Sequence, residues 1–321
     1  MRDYTAGMWI FGRIVDRYAT DGYGPSVGTL QQIELASQSG IVGLDLNFPF
    51  PEPGLDADEV RRALDSAGLH AVCVTPIIYG GRFRRGSFTN PDAALRREAV
   101  ELSVSAVEAA SVLGAGYVKF WPGQDGYDYP FQCDYGEYRR LAIEGVGSVA
   151  GSFPETRFGI EYKLKEPRNR LFWSSAATTL LAIDQIGLDN IGVVIDFGHS
   201  LFAKENPAEM LHLVHSAGRL VDIELDDNYR EWDDDLTVGS VHLVETLEFL
   251  LMMRTIGWDR PVKLDLFPFR ENAVAAVQAS IETLRQLEER CDRLDIESLQ
   301  RAQQDQDAIG AQRVARAALL G

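Results

Sequence analysis

The chain is short of cysteine, of basic charge and of long apolar runs, and each shortage closes off a class of protein. Its three cysteines, Cys73, Cys133 and Cys291, form no CxxC pair, the usage of a reducing compartment. Basic residues number 31 against 48 acidic ones, a formal net charge of −17. Phosphate-rich partners need concentrated Lys and Arg, so nucleic acid and anionic membrane are excluded as partners, while a divalent cation is welcome. No apolar run approaches the ~18 residues of a membrane span. The N-terminus lacks the basic-then-apolar layout of a signal peptide, so the expectation is a soluble, cytoplasmic protein. No GxGxxG follows the first strand, which weakens a dinucleotide-binding reading.

What is present is an ordinary globular composition. The 321 residues are 45% hydrophobic with 29 glycines, enough to bury a sizeable core. Short apolar runs alternate with longer amphipathic stretches. "YTAGMWIFG", "VGLDLNF", "AVCVTPII", "GYVKFW", "FGIEYK", "IGVVIDFG", "LVDIELD" and "VKLDLFP" read as eight strands. Continuous apolar strands interleaved with helices imply parallel strands joined by helical crossovers. Eight such units over about 285 residues predict a (β/α)8 barrel, residues 1–285, followed by a short charged helical C-terminal tail, residues 286–321. That tail is either an arm across another subunit or a solvated helix.

Active sites of such barrels form at the C-terminal ends of the strands, and the acids fall there. Glu161 and Lys163 end the fifth strand, two apart and on one face. Asp196 ends the sixth, with His199 three residues on. Asp222, Glu224 and Asp226 alternate along the seventh, "REWDDDLTVG" carries Asp233, Asp234 and Asp235 in the loop after it, and Asp265 ends the eighth. Singly, each is more often a helix cap, a structural side chain or a solvated loop. Gathered in one mouth they would raise each other's pKa unless a cation compensates. Carboxylates with one imidazole suit Mg²⁺, Mn²⁺ or Co²⁺ rather than a thiolate-preferring metal.

Several segments together carry a resemblance. "GIEYKLKEPRN", "DFGH", "DIELDDNYREWDDDLTVG" and "LDLFPFRE", with the earlier "GMWIFG", "RFRRGSFTN" and "YVKFWPGQDGYDYP", occur in the order of the xylose isomerases and resemble their motifs over roughly residues 4 to 285. The resemblance implies a TIM barrel of the sugar isomerase branch, binding one or two divalent ions per chain. One ion would be held by Glu161, Asp196, Glu224 and Asp265. A second would be held by Asp196, His199, Asp233 and Asp235, with Asp234 pointing away. Asp196 stands where the family usually has Glu, and Glu224 where it has Asp. Lys163 matches the family lysine that contacts substrate, beside Glu161 and His199. Trp9, Phe83 and Trp121 match the aromatic wall of the pocket.

The pattern breaks at two places. The histidine credited with opening the sugar ring is replaced by Asn47, whose amide can hold a hydroxyl but cannot take its proton; Asp45, on the same face, is the candidate substitute base. The eighth-strand lysine is replaced by Phe267. The main expectation is metal-dependent interconversion of an unphosphorylated aldose and ketose by hydride shift, in a cytoplasmic homodimer or homotetramer. The alternative is a metal-dependent epimerase, or a lyase of 3-keto-glycosides that include carbon-linked ones, acting by proton abstraction. That alternative allows a small partner subunit. A binding-only barrel and a DNA-repair nuclease are disfavoured by the gathered acids and by the net charge.

Overall fold

The computed structural model describes residues 2–321. Eight parallel strands close a barrel: β1 (Tyr4–Gly7), β2 (Gly43–Phe48), β3 (His70–Pro76), β4 (Tyr117–Phe120), β5 (Phe158–Glu161), β6 (Ile191–Asp196), β7 (Leu220–Leu225) and β8 (Val262–Leu264). Each strand pairs with its neighbours in sequence, and β1 pairs with β8 to close the ring. The eight runs read from the sequence are these eight strands. The connecting helices are α1 (Thr29–Ser37), α2 (Ala57–Ala67), α3 (Ala93–Leu113), α4 (Tyr135–Ser152), α5 (Ala176–Ile186), the short α6 (Phe197–Phe202) with α7 (Pro207–Ser216), α8 (Leu243–Thr255) and α9 (Ala273–Cys291).

Local chemistry sets the helix starts. Asp56, Asp92, Asp134, Ser175, Asn206 and Asn272 each accept a backbone N–H of the first turn of the helix that follows, satisfying donors that the helix itself leaves unpaired. The bland reading of a lone Asp before a helix therefore holds around the outside of the barrel.

Strand parity decides what lies where. One parity faces the helices and is apolar: Leu44 and Leu46, Val118 and Phe120, Phe158 and Ile160, Val193 and Ile195, Ile223 and Leu225, and Leu264 are all fully buried in one continuous core. Each such side chain contributes on the order of 1.5–3 kcal/mol by leaving water. The other parity faces the barrel axis, where Asp45, Lys119, Glu161, Glu224, Lys263 and Asp265 meet across the ring. Hydrophobic stabilisation is concentrated between sheet and helices, and besides its charges the barrel keeps a small separate apolar cluster of Cys73, Tyr117, Val194 and Val221.

The C-terminal segment forms α10 (Ile296–Gln304) and α11 (Ala308–Leu320). It folds back on its own barrel: Ala318 is buried, and Val314 and Leu319 pack against the main core beside α9. Because α9 runs on to Cys291, the expected boundary at residue 285 falls inside it.

Candidate metal and substrate site

The inner part of the site is built from four strand ends. One carboxylate oxygen each of Glu161, Asp196, Glu224 and Asp265 lies within 4.8 Å of the other three, and all four side chains are buried. Register explains the convergence, since Asp196 is paired with Glu224 across β6 and β7, and Glu224 with Lys263 across β7 and β8. Asp196 both caps and converges: its Oδ1 accepts the His199 backbone N–H at 2.6 Å while the side chain faces the cluster. That cap opens α6 and turns the His199 ring inward, where Nδ1 lies 3.3 Å from Glu161 Oε1 and Nε2 lies 2.9 Å from Asp233 Oδ2.

The outer part comes from the loop after β7. Asp226, Asp233 and Asp235 form a second group of converging oxygens, so Asp226 joins the two aspartates expected from the sequence. The loop is pinned from several sides. Asp227 and Leu236 exchange backbone hydrogen bonds, Asp227 Oδ2 accepts from the N–H groups of Val241 and His242, and the Phe267 N–H donates to the Asp235 carbonyl. Asp235 holds a left-handed backbone, φ 50°, a conformation Asp tolerates better than most residues. Asp234 turns aside and accepts the Tyr229 N–H. Gly198 is needed for close approach: its N–H donates to Asp226 Oδ1 at 2.7 Å, and a Cβ there would stand 2.0 Å from Asp226 Oδ2.

The acids are shifted in opposite directions: burial would raise Asp233, but Lys163 and His199 hold it well below the usual carboxylate range, while its neighbours are raised. Burial, then the charges of Glu224, Glu161 and Asp196, raises the Asp265 carboxyl well above the usual range. Burial and the other acids do the same to Asp226 and Asp235, and push Asp196 up to about 7. Burial opposes a charged imidazole, yet Asp196 and Asp233 overcome it and raise His199 to about 10. Buried Asp226 Oδ2 has no hydrogen-bond partner, and His199 Nδ1 faces Glu161 without forming one, whereas Asp233 Oδ2 is met by both His199 and Lys163. Orphaned buried polar atoms cost stability unless something else satisfies them. A hard divalent cation with oxygen and imidazole preference fits this donor set.

Three residues frame the approach. Lys163 Nζ lies 2.7 Å from Glu166 Oε2, 2.9 Å from Asp233 Oδ2 and 5.4 Å from the centre of the Trp121 ring. Lys163 is therefore held in a local ion pair that directs the ammonium to the outer acids. Trp121 folds over Gly123, where a Cβ would lie 2.3 Å from the ring, and packs edge-on against Tyr79 at 4.9 Å. Trp9 donates its indole N–H to Asp265 Oδ1 at 2.6 Å, which ties the aromatic wall to the acids. Asn47 is half-buried, with its amide oxygen unpartnered. Phe83 is 3% exposed and packed into the hydrophobic core.

One sequence expectation is not met by the geometry. Asp45, the candidate base, is fully buried below the mouth: Oδ1 accepts the Thr75 hydroxyl, and Oδ2 lies 2.9 Å from Lys119 Nζ and 3.0 Å from Lys263 Nζ. Burial would raise its pKa, but the two ammonium groups win and hold it well below the usual carboxylate range. A carboxylate so held is a poor proton acceptor. The sequence reading also passed over Lys119 and Lys263. The signal was parity: each stands two residues before a site residue, Trp121 or Asp265, and so points the same way.

The segment from Gln124 to the Asp134 cap of α4 serves mainly to hold itself and its neighbour. Buried Asp125 accepts from the backbone and hydroxyl of Ser87, the backbone of Phe88, and the backbone and hydroxyl of Thr89. Gly126–Tyr127 pairs antiparallel with Arg170–Leu171, while Tyr129, Phe131 and Tyr135 face solvent.

Residues 33–287 match the model of the xylose isomerase-like TIM barrel family, and the chain belongs to that family. It is 24% identical over 308 residues to xylose isomerase from Thermus thermophilus, spanning 90% of this chain and 80% of that protein. Solved structures resemble it in fold. A D-allulose 3-epimerase from Methylomonas sp. in complex with D-allulose has a TM-score of 0.69 at 13% identity, covering 89% of this chain and 96% of that one. The 3-keto-D-glucoside 4-epimerase of E. coli has a TM-score of 0.61 at 17% identity, covering 80% and 94%. The family and the xylose isomerase relative support an enzyme acting on carbohydrate. No helix among the described residues is long and apolar enough to cross a membrane.

Proposed function

We propose that the chain is a divalent-metal-dependent sugar isomerase that interconverts an unphosphorylated aldose and its ketose by a hydride shift. The carrying observation is the convergence of Glu161, Asp196, Glu224 and Asp265 beside the outer acids Asp226, Asp233 and Asp235, with buried polar atoms left unpartnered between them. Glu161, Asp196, Glu224 and Asp265 would hold one ion, Mn²⁺ or Mg²⁺ with Co²⁺ as a third candidate. Asp196, His199, Asp233 and Asp235, joined by Asp226, would hold a second. When bound, such an ion polarises neighbouring carbonyl and hydroxyl oxygens, which is what moving hydrogen between adjacent carbons requires.

The chain's own groups supply position and field. The Lys163 ammonium, fixed by Glu166 and Asp233 over the Trp121 ring, can stabilise negative charge growing on a sugar oxygen. The faces of Trp9 and Trp121 suit the C–H faces of a sugar and exclude water. Asn47, with its free amide oxygen, can accept a sugar hydroxyl's hydrogen bond without taking the proton. The substrate is read as unphosphorylated because Lys119, Lys163 and Lys263, the interior cations, are all engaged by acids. The working form is proposed to be a cytoplasmic homodimer or homotetramer.

A second reading, epimerisation or aglycone elimination from a 3-keto-glycoside by proton abstraction, is favoured by one feature. Asn47 and Phe267 leave the substrate side of the mouth without a ring-opening base, which a keto substrate does not need. Proton NMR in D₂O on chelator-stripped protein, with and without restored Mn²⁺ or Mg²⁺, separates the two. Metal-dependent interconversion of a free aldose and ketose with little deuterium incorporation supports the isomerase. Silence on free sugars, with deuterium exchange or aglycone release on a 3-keto-glycoside, overturns it in favour of the second reading.

A further inference from the structure

Lys119 occupies an unusual position for an ammonium. Its Nζ lies 2.6 Å from Glu161 Oε2, 2.9 Å from Asp45 Oδ2, and 3.0 and 3.2 Å from the two oxygens of Glu224. Its side chain is 2% exposed, closed above by the Trp9 ring at 4.9 Å. Lys263 stands beside it, 2.7 Å from Glu224 Oε1 and 3.0 Å from Asp45 Oδ2, with the Tyr117 hydroxyl at 2.8 Å. Two of the four inner carboxylates thus already bind a cation that cannot leave, because it is covalently part of β4. Asp45, which is not one of the four converging acids, balances part of that charge.

We infer that Lys119 is a resident cation of the inner carboxylate site, competing with a divalent ion for Glu161 and Glu224 and thereby keeping that ion weakly held and exchangeable. The inference rests on the proposed metal dependence. Its physical basis is charge: an ammonium in contact with two ligand carboxylates draws on the same lone pairs and repels a second cation in a site with little water to screen it. Without Lys119 the empty cluster would carry one more uncompensated negative charge, which destabilises the fold and attracts a divalent ion more strongly.

The test measures Mn²⁺ binding directly, from the electron paramagnetic resonance signal of the free aquo ion and by calorimetry, on wild type, Lys119→Met and the double variant Asp45→Asn/Lys119→Met. Lys119→Met is expected to bind Mn²⁺ more tightly by on the order of tenfold or more. Its metal-free thermal midpoint should be lower and its Mn²⁺-induced shift larger. The double variant removes one charge of each sign, so its net charge is that of wild type, and it tests the inference if the single variant does not fold: with the ammonium gone from Glu161 and Glu224 it should still bind Mn²⁺ several-fold more tightly than wild type. Unchanged or weaker Mn²⁺ binding in Lys119→Met, or in the double variant where the single one does not fold, overturns the inference. Wild type that binds neither Mn²⁺ nor Mg²⁺ overturns the metal reading itself.

Discussion

The interior of this barrel has two storeys that handle charge in opposite ways. In the lower one, Asp45, Asp222 and Glu224 face Lys119 and Lys263, and nearly every oxygen has an ammonium or hydroxyl beside it. In the upper one, Asp196, Asp226, Asp233, Asp235 and Asp265 have only His199 and Lys163 among them, and polar atoms remain unpartnered. The same residue type, a buried carboxylate, is fully taken up where ammonium groups and a hydroxyl meet its oxygens, as at Asp45, and keeps an oxygen open to a ligand where too few donors reach it, as at Asp226. Depressed proton affinity at Asp45 and raised proton affinity at Asp265 and Asp226 are two outcomes of one rule about neighbours.

The contrast can be broken most forcefully from above. Lys163→Met removes the one ammonium aimed at the substrate side, and kcat should fall by on the order of 10²–10³ while the fold persists; steady-state kinetics beside a melting curve decide it. Support around the mouth should matter nearly as much for stability. Asp125→Ala leaves the donors of Ser87, Phe88 and Thr89 unsatisfied in a buried setting, so a loss of roughly 3 kcal/mol is expected in urea unfolding. A loss under 1 kcal/mol would mean that water replaces the carboxylate.

Smaller effects sharpen the boundary between the storeys. Trp9→Phe keeps a ring but deletes the N–H bonded to Asp265, and Mn²⁺ affinity or activity should drop by about 10–100-fold. Full retention of both would make that hydrogen bond incidental. Removing metal with a chelator should lower thermal stability, and restoring it to about 100 times its Kd should return about 2.7 kcal/mol. The smallest effect is expected at Phe83→Leu, a core substitution costing about 1 kcal/mol with KM unmoved. A clear rise in KM would return Phe83 to the substrate wall.

Much of this was legible from residues alone because parity and periodicity are local. The eight apolar runs specified the strands, and acids at four consecutive strand ends specified where a site would form. Asp45, Lys119 and Lys263 were harder. Their parity was visible in "LDLNF", "YVKFW" and "VKLDLF", yet which acid meets which lysine depends on contacts such as Lys263 with Asp45, 218 residues apart. Asp226 was missed as a member of the outer group for a related reason. Only the closed loop, held by Asp227 and Leu236, brings it to Asp233 and Asp235.

The sequence by itself determined the class of fold and the family and placed acids at the strand ends, because strand period, helix caps and strand-end residues are properties of neighbours along the chain. The tertiary structure decided which carboxylates are neutralised and which remain open to a ligand. That division turns on distances of about 3 Å between side chains from opposite walls of the barrel, and a charge's effect on another is set by separation in space and by the water excluded around it.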